Sequence, residues 1–278
     1  MTANDHLAAS ERLVAWFRDL DTCLVAFSGG VDSSVVAKAA VLALGENAFA
    51  VTAKSPSVAA RDLQIAKEVA TAIGIRHEVI ETSELSRPGY VANAPDRCFH
   101  CKSELYDHLT AIRAQFATEA IVNGANLDDR GDHRPGMVAA SNAGVRSPLL
   151  ECEIDKATLR GIARLWDIPV WDRPASPCLA SRIAYGVEVT PERLKMVEEG
   201  EAYLRGLGLN DMRVRYHEGD LARLEVPVES ISQLAEPNVR EPLEEAFREI
   251  GFKFVALDLG GIKSGSLNQL IQLTLSGG

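Results

Sequence analysis

The stretch AFSGGVDSS at residues 26–34 decides the fold of this chain. An apolar run, TCLVAF at 22–27, leads into its two glycines, and an apolar helical run, VVAKAAVLAL at 35–44, follows them. Gly29 and Gly30 allow the backbone to adopt positive φ values and to approach a ligand closely. A buried strand that turns directly into a helix in this way predicts N–H groups that are free to bind phosphate oxygens.

The polar side chains of this stretch favour the same ligand. The hydroxyls of Ser28, Ser33 and Ser34 extend a cradle for phosphate oxygens, and the Asp32 carboxylate can hold Mg²⁺ on those phosphates. Two glycines alone equally indicate an ordinary turn before a helix, but the full S-G-G-V-D-S-S pattern is far more specific. Lys54, at the end of the next predicted strand, can neutralise phosphate or contact adenine, and a solvated loop lysine is the equal alternative.

Strand and helix patterns alternate outward from this stretch. Further apolar strands are predicted at 48–54, 76–82 and 119–126, with helices between them. This alternation predicts an α/β fold with a parallel sheet covered on both faces. Ligands bind at the carboxyl ends of such strands, so we expect Gly124, Asn126 and Asp128 beside the glycine loop, where one or more can orient Mg²⁺ or nucleotide. A charged surface loop would have a similar sequence.

The pattern changes after residue 184. Two alternating runs at 212–219 and 221–227 flank a tight polar turn and predict a hairpin, which a helix and a further strand follow. We therefore predict an α/β domain at 1–184 and a smaller α+β domain at 185–278. The second domain is expected to contain an antiparallel sheet and to serve substrate binding and oligomerisation.

Composition limits the function further. The 278 residues carry a net charge of −10, which argues against broad binding to nucleic acid. The N-terminus lacks the pattern of a signal peptide, and no apolar run approaches the ~20 residues that span a bilayer. We expect a cytoplasmic protein with reduced cysteines, in which a CxxC pattern indicates metal binding or catalysis.

Three of the five cysteines stand out. Cys23 lies in an apolar strand, and Cys152 has no partner at motif spacing. Cys98 and Cys101 form a CxxC before or at a helix start, where the helix dipole favours thiolate. Cys178 follows in a Pro-rich loop that is flanked by arginines.

Three thiolates without a fourth fit a [4Fe–4S] cluster with one open iron position. Zinc, with His100 or His133 as the fourth ligand, is a competing metal. Metal-free chemistry is the remaining alternative, with Cys178 as the nucleophile and the CxxC as a redox pair.

Taken together, the motifs resemble those of a known family. SGGVDSS resembles the signature of the PP-loop ATP pyrophosphatases, which split ATP between the α- and β-phosphates, adenylate an oxygen and release pyrophosphate. Over nearly the whole chain the sequence resembles the LarE family, on the motifs NLDDRGDHRPG (126–136), RSPL (146–149), PASPCLASRIAYG (174–186), VTPE (189–192) and RVRYH with ARLEVP (213–227). This resemblance implies ATP and Mg²⁺ as cofactors. The implied reaction adenylates a carboxylate of pyridinium-3,5-biscarboxylic acid mononucleotide and converts it to a thiocarboxylate, for the nickel-pincer nucleotide of lactate racemase.

The resemblance also implies a role for the cysteines. Some family members give up the sulfur of the cysteine that matches Cys178 and keep dehydroalanine, whereas others carry three cysteines and hold a [4Fe–4S] cluster that delivers sulfide. Cys98, Cys101 and Cys178 place this chain in the second group. Cys178 and Asp32 are then the catalytic residues.

Further family positions fall in the C-terminal part. Arg213 and Arg215 alternate along a strand and so share a face, which suits a substrate phosphate or carboxylate, although a solvated edge-strand pair has the same spacing. Ser181 and Arg182 are expected to contact substrate as well. Candidate ligands of a divalent metal at a subunit interface are Glu201 and Glu225, for which exposed glutamates are the alternative.

Other functions remain open at this point. A tRNA-thiolating PP-loop enzyme also adenylates an oxygen and can use three cysteines, but the acidic charge argues against it. An amidating synthetase would use ammonia, and a nucleotide sensor would have no catalysis. The expected partners are a small nucleotide substrate, a sulfide donor and further copies of this chain, without nucleic acid or membrane.

Overall fold

The computed structural model describes residues 3–115, 117–129, 135–174 and 176–263. The helices are α1 (Ala3–Phe17), α2 (Val31–Leu44), α3 (Ala60–Ile73), α4 (Pro88–Val91), α5 (Arg97–Gln115), α6 (Pro135–Asn142), α7 (Pro148–Glu151), α8 (Lys156–Leu165), α9 (Pro191–Gly206), α10 (Ile231–Ala235) and α11 (Pro237–Ile250). The strands are β1 (Cys23–Ala26), β2 (Ala48–Lys54), β3 (Arg76–Glu81), β4 (Ala120–Val122), β5 (Arg213–His217), β6 (Leu221–Glu225) and β7 (Phe254–Leu257).

The chain divides into two compact units. The described residues of Met1–Glu84 and Cys98–Ser176 form the first unit, and those of Leu85–Arg97 and Pro177–Gly278 form the second. The loop with Cys178, Ser181 and Arg182 therefore belongs to the second unit. The functional division into domains at 1–184 and 185–278 stays a prediction.

The first unit contains the parallel sheet that the sequence predicts. Its strands pair in the order β3-β2-β1-β4 within the described residues. Side chains alternate across the sheet, so Cys23 and Val25 join a core with α1, α2, α3 and α8, while Leu24 joins another with α5 and α6. Both faces of the sheet are covered, and the α/β fold is confirmed.

The strand order places a switch point between β1 and β4. From β1 the chain moves outward to β2 and β3, and it then returns to add β4 on the other side of β1. Loops that follow neighbouring strands on either side of such a point leave a crevice at the carboxyl edge of the sheet. The glycine loop after β1 and the asparagine loop after β4 are these two loops.

The second unit contains a small mixed sheet. Strands β5 and β6 form the predicted antiparallel hairpin, but β7 pairs parallel to β6, so the prediction of an antiparallel sheet was wrong for this strand. The chain segment between β6 and β7 contains α10 and α11. A crossover of this length allows β7 to pair parallel to β6. No helix in the described part of the chain has both the length and the apolar character needed to cross a membrane.

Candidate active site

The glycine loop begins directly after β1 and ends where α2 starts. Gly29 has φ +70°, and a Cβ atom added there would lie 2.6 Å from the Cα of Ala66 on α3. Only glycine fits both the backbone angle and this close approach. Gly30 is the residue before α2, and no side chain caps the helix there. The first N–H groups of α2 therefore remain available to an anion.

The serine hydroxyls shape the loop from within. The Ser33 hydroxyl accepts a hydrogen bond from the Ser28 N–H at 3.2 Å and donates to the Gly30 carbonyl at 3.1 Å. Ser34 donates to the same carbonyl at 2.8 Å. The carbonyl of Gly30 is turned toward the helix by these bonds, which leaves N–H groups rather than carbonyls on the ligand side.

Asp32 makes the closest polar contacts of this region. Its Oδ1 accepts a hydrogen bond of 2.8 Å from the Asn126 amide, and its two oxygens accept bonds of 2.7 and 2.5 Å from Lys156 Nζ. The Asp32 side chain is 27% exposed, so it remains open to solvent beside both partners. A carboxylate in this setting can exchange one cation for another, which suits a metal ligand at a phosphate site.

The loop after β4 packs directly against the start of α2. A Cβ atom added to Gly124 would lie 2.8 Å from the backbone nitrogen of Ser33, so this position also requires glycine. Asn126 is buried, and its Oδ1 accepts a 3.0 Å bond from the Asp128 N–H. Asp128 in turn accepts a 3.1 Å bond from the N–H of Lys156. The structure thus brings Gly124, Asn126 and Asp128 to the glycine loop.

Lys156 is the residue of this site that sequence reasoning missed. It is the first residue of α8, and the Asp155 carboxylate accepts the 2.7 Å N-cap bond from Thr158 N–H. A lysine in the first turn of a helix is electrostatically unfavourable, and this anomaly was the available signal. Lys156 supplies a cation 124 residues from Asp32 in the chain.

This group of residues fits ATP and Mg²⁺. Free N–H groups at the start of α2 and the Lys156 ammonium can bind phosphate oxygens, and Asp32 is an oxygen ligand of the type that Mg²⁺ prefers. The close approach of Gly124 to Ser33 leaves no Cβ between the β4 loop and the start of α2. Lys54 has a different setting, since it is exposed at the end of β2 and lies 3.0 Å from Glu81. Its contact with ATP stays a prediction.

The cysteines fall into two classes. Burial raises the pKa of the Cys23 thiol to about 12, and burial also raises the pKa of Cys152, so neither is suited to be a nucleophile. Cys98 and Cys178 are exposed, and Cys101 is partly exposed. Cys98 and Cys101 are the second and fifth residues of α5, at the start of a helix as the sequence predicts.

A metal-binding group is not assembled within the described residues, where no three His, Cys, Asp or Glu side chains gather in a suitable way. Cys98, Cys101 and His100 lie in the first unit and Cys178 in the second. His133 lies outside the described residues. Thiolates are the donors that an iron–sulfur cluster takes, and a cluster bound by these three cysteines stays a prediction.

The two arginines of β5 differ in their surroundings. Arg215 is buried and donates to Glu225 Oε2 at 3.0 and 2.9 Å and to the Ser181 carbonyl at 2.9 Å. Burial lowers its pKa, which the contact with Glu225 partly offsets. Arg213 is partly exposed and donates to the Met212 carbonyl at 2.7 Å. Arg213 is the more accessible of the two for a substrate phosphate.

Glu201 and Glu225 are paired with arginines within the chain, and their role as ligands of a divalent metal stays a prediction. Both are buried, and each carboxylate lies against arginines. Glu201 accepts from Arg182 at 2.9 Å, and Glu225 lies 2.9 Å from both Arg215 and Arg223. Guanidinium groups occupy the oxygens that a metal would need, so the geometry favours structural ion pairs over a divalent metal.

Comparison with known proteins agrees with this architecture. The family model described as NAD synthase matches residues 17–94, which contain the glycine loop. A protein of uncharacterized function from Synechocystis is 46% identical over 261 residues, covering 94% of this chain and 97% of its own length. Another from Methanocaldococcus jannaschii is 28% identical over 236 residues, covering 85% and 88%.

The decisive relative comes from Lactiplantibacillus plantarum. Its pyridinium-3,5-bisthiocarboxylic acid mononucleotide synthase is 35% identical to this chain over 260 residues, covering 93% of each protein. The chain belongs to the LarE family. As a LarE-family member with a PP-loop ATP pyrophosphatase domain, it is an ATP-dependent sulfur transferase that forms AMP and pyrophosphate. The glycine loop and Asp32 described above are the PP-loop of this family.

Proposed function

We propose that this enzyme adenylates a carboxylate of pyridinium-3,5-biscarboxylic acid mononucleotide and converts it to a thiocarboxylate in nickel-pincer nucleotide biosynthesis. The observation that carries the proposal is the similarity over 93% of the chain to a synthase named for the bisthiocarboxylic product. The PP-loop with its Asp32–Lys156 pair supports the first half of this reaction.

In the first half-reaction, a substrate carboxylate oxygen attacks the α-phosphorus of ATP. The bond from that phosphorus to the bridging oxygen breaks, and pyrophosphate leaves. The N–H groups at the start of α2 stabilise the negative charge on the phosphates. Lys156, 2.5 Å from Asp32, is placed to neutralise the leaving pyrophosphate. Asp32 would hold Mg²⁺, which would stabilise the negative charge on the phosphates.

In the second half-reaction, sulfur attacks the carbonyl carbon of the acyl adenylate. The carbon–oxygen bond to AMP breaks, and AMP leaves with the bonding electrons. Adenylation is needed because a free carboxylate is a poor electrophile. Cys178 supports this step because its side chain is exposed.

We further propose that a [4Fe–4S] cluster bound by Cys98, Cys101 and Cys178 delivers the sulfur. All three side chains are at least partly exposed, whereas the two other cysteines carry raised pKa values. Arg97, the residue before Cys98, donates a 2.8 Å hydrogen bond to the carbonyl of Ala180, two residues after Cys178. A cytoplasmic location and a separate sulfide donor belong to the same proposal.

Substrate-dependent pyrophosphate release tests the adenylation. Purified enzyme with MgATP should release pyrophosphate when the dicarboxylate mononucleotide is added, and should do so poorly with bulk tRNA or with ammonia alone. Equal release with tRNA would support the alternative function of tRNA thiolation.

Iron and acid-labile sulfide analysis of protein purified without oxygen tests the sulfur source. Alanine at any one of the three cysteines should remove iron and thiolation together while adenylation continues. Mass spectrometry of spent enzyme identifies the alternative, because dehydroalanine at Cys178 would show that this cysteine is sacrificed.

A further inference from the structure

The backbone around Cys178 is bound by buried arginine side chains of the second unit. Arg182 donates through Nη1 to the carbonyl of Pro177 at 2.6 Å and to that of Cys178 at 3.3 Å. The same guanidinium is held by Glu201 at 2.9 Å. The thiol of Cys178 is exposed, so the backbone of this loop is fixed while its sulfur faces solvent.

Two more arginines bind the next carbonyls of the loop. Arg97 donates to the carbonyl of Ala180 at 2.8 Å and also bonds the side chain of Asn93. Arg215 donates to the carbonyl of Ser181 at 2.9 Å. Arg97 is 5% exposed and Arg215 is 6% exposed, which leaves little of their surface for a substrate.

Each of these arginines is fixed by an acceptor that is itself buried. Asn93 and Glu225 are fully buried, and Glu201 is 5% exposed. The Asn93 amide also donates to the carbonyls of Ala184 at 2.9 Å and Val187 at 2.8 Å, just beyond the loop. A guanidinium can bind an acceptor and a carbonyl at once because its donors form a rigid fork, which a lysine lacks.

We propose that Arg97, Arg182 and Arg215 are positioning residues that fix the Cys178 loop for the sulfur-transfer step. This inference rests on the proposed function and deepens it. Substrate contact by Arg182 and Arg215 stays a prediction, and the inference gives Glu201 and Glu225 a role as anchors of the arginines. Adenylation does not need this loop and should proceed without the clamp.

Arg215→Lys and Arg223→Lys form a matched pair of variants. Both arginines lie on the β5–β6 hairpin, and both contact Glu225 at 2.9 Å, but of the two only Arg215 has a described hydrogen bond to the loop. Arg97→Lys provides a second test at the other end of the loop. Lysine keeps the positive charge beside Glu225, so the carboxylate is not left unpaired.

Hydrogen exchange is the first measurement, and it needs no substrate. The N–H groups of Ser181 and Ile183 bond to the carbonyls of Cys178 and Ala180 in the native loop. We expect exchange at these two amides to become at least about tenfold faster in Arg215→Lys and Arg97→Lys, and to stay unchanged in Arg223→Lys. Equal exchange in all three variants would overturn the clamp.

Kinetics is the second measurement. In Arg215→Lys, thiocarboxylate formation should fall about tenfold or more, while pyrophosphate release and the KM for the mononucleotide stay near wild-type values. A raised KM with an unchanged rate of sulfur transfer would show that Arg215 binds substrate instead. If wild-type enzyme forms no thiocarboxylate but the exchange result holds, the proposed function fails and the loop clamp stands.

Discussion

Asp32 shows how a single residue of the PP-loop depends on distant parts of the chain. Its carboxylate accepts from Asn126, which follows β4, and from Lys156, which begins α8. The glycine and serine residues of the loop could be predicted because they are local in sequence. The Lys156 contact could not, because it joins residues 124 positions apart that only the packing of α8 brings together.

Asp32→Ala should lower the rate of substrate-dependent pyrophosphate release by about 100-fold or more, because the loop loses its metal ligand. The protein should still fold, since the Asp32 side chain is partly exposed. Glu151→Ala is the matched control, because it removes a carboxylate from another short ion pair, 2.6 Å from Arg146. A folded Asp32→Ala protein with normal pyrophosphate release would exclude this residue from the mechanism.

Lys156→Met should slow pyrophosphate release by about 100-fold, because the leaving group loses its cation. Steady-state kinetics with varied MgATP measures this effect. Lys38→Met is the control, since Lys38 bonds only the Ile73 carbonyl at 3.4 Å among its described hydrogen bonds. Equal rates in the two variants would show that Lys156 pairs with Asp32 but does not act on the leaving pyrophosphate.

At the level of elements, local patterns predicted where strands lie and missed the features that depend on tertiary pairing. Strand β2 has the bounds 48–54 that the sequence predicts. The parallel pairing of β7 depends on the path of α10 and α11, which no pattern in the strand itself records. The burial of Arg215 likewise follows from its pairing with Glu225 rather than from alternation.

Gly124→Ala tests the packing of the β4 loop on α2. A Cβ there would lie 2.8 Å from the Ser33 nitrogen, so the two loops must separate. We expect ATP affinity, measured by calorimetry, to fall about tenfold, together with a modest loss of thermal stability. Gly206→Ala is the control, because the same change at the end of α9 meets open space. Unchanged ATP affinity in Gly124→Ala would separate this loop from the nucleotide site.

His217 makes the β5–β6 hairpin sensitive to acid. Burial, and then the charges of Arg223 and Arg215, lower its pKa, and Arg223 Nε donates to its Nε2 at 3.0 Å. Because the folded-state pKa lies below the ordinary value of 6.5, the neutral ring stabilises the fold above that pH, and this contribution is lost as pH falls below it. The ring is only half-buried, so the loss between about pH 7.5 and about pH 5.5 is at most about 1 kcal/mol.

Urea unfolding of wild type and His217→Gln at the two pH values measures this contribution. Glutamine keeps an acceptor for Arg223 but does not titrate, so the variant should lose less stability in acid. An identical loss in both proteins would assign the acid sensitivity to other groups, of which His77 is one with a lowered pKa.

At the scale of the whole molecule, the sequence predicted the fold and the chemistry of the first unit. It predicted the arrangement of the cysteines less completely. The net charge of −10 and the PP-loop are properties of the sequence that restrict the substrate class directly. Cys98 and Cys178 fall in different units, and whether they share a cluster stays a prediction. The Arg97–Ala180 bond lies within the second unit and joins segments 83 residues apart, so no local pattern predicts it.

The central claim is tested most directly by mass spectrometry of the mononucleotide. The mononucleotide is first incubated with MgATP and a stoichiometric amount of enzyme that was purified without oxygen. The proposed function predicts a product in which sulfur replaces a carboxylate oxygen, with one AMP and one pyrophosphate formed for each sulfur transferred. Asp32→Ala should give none of these products. If folded enzyme that binds ATP leaves both the dicarboxylate and the ATP unchanged, the proposed function is contradicted.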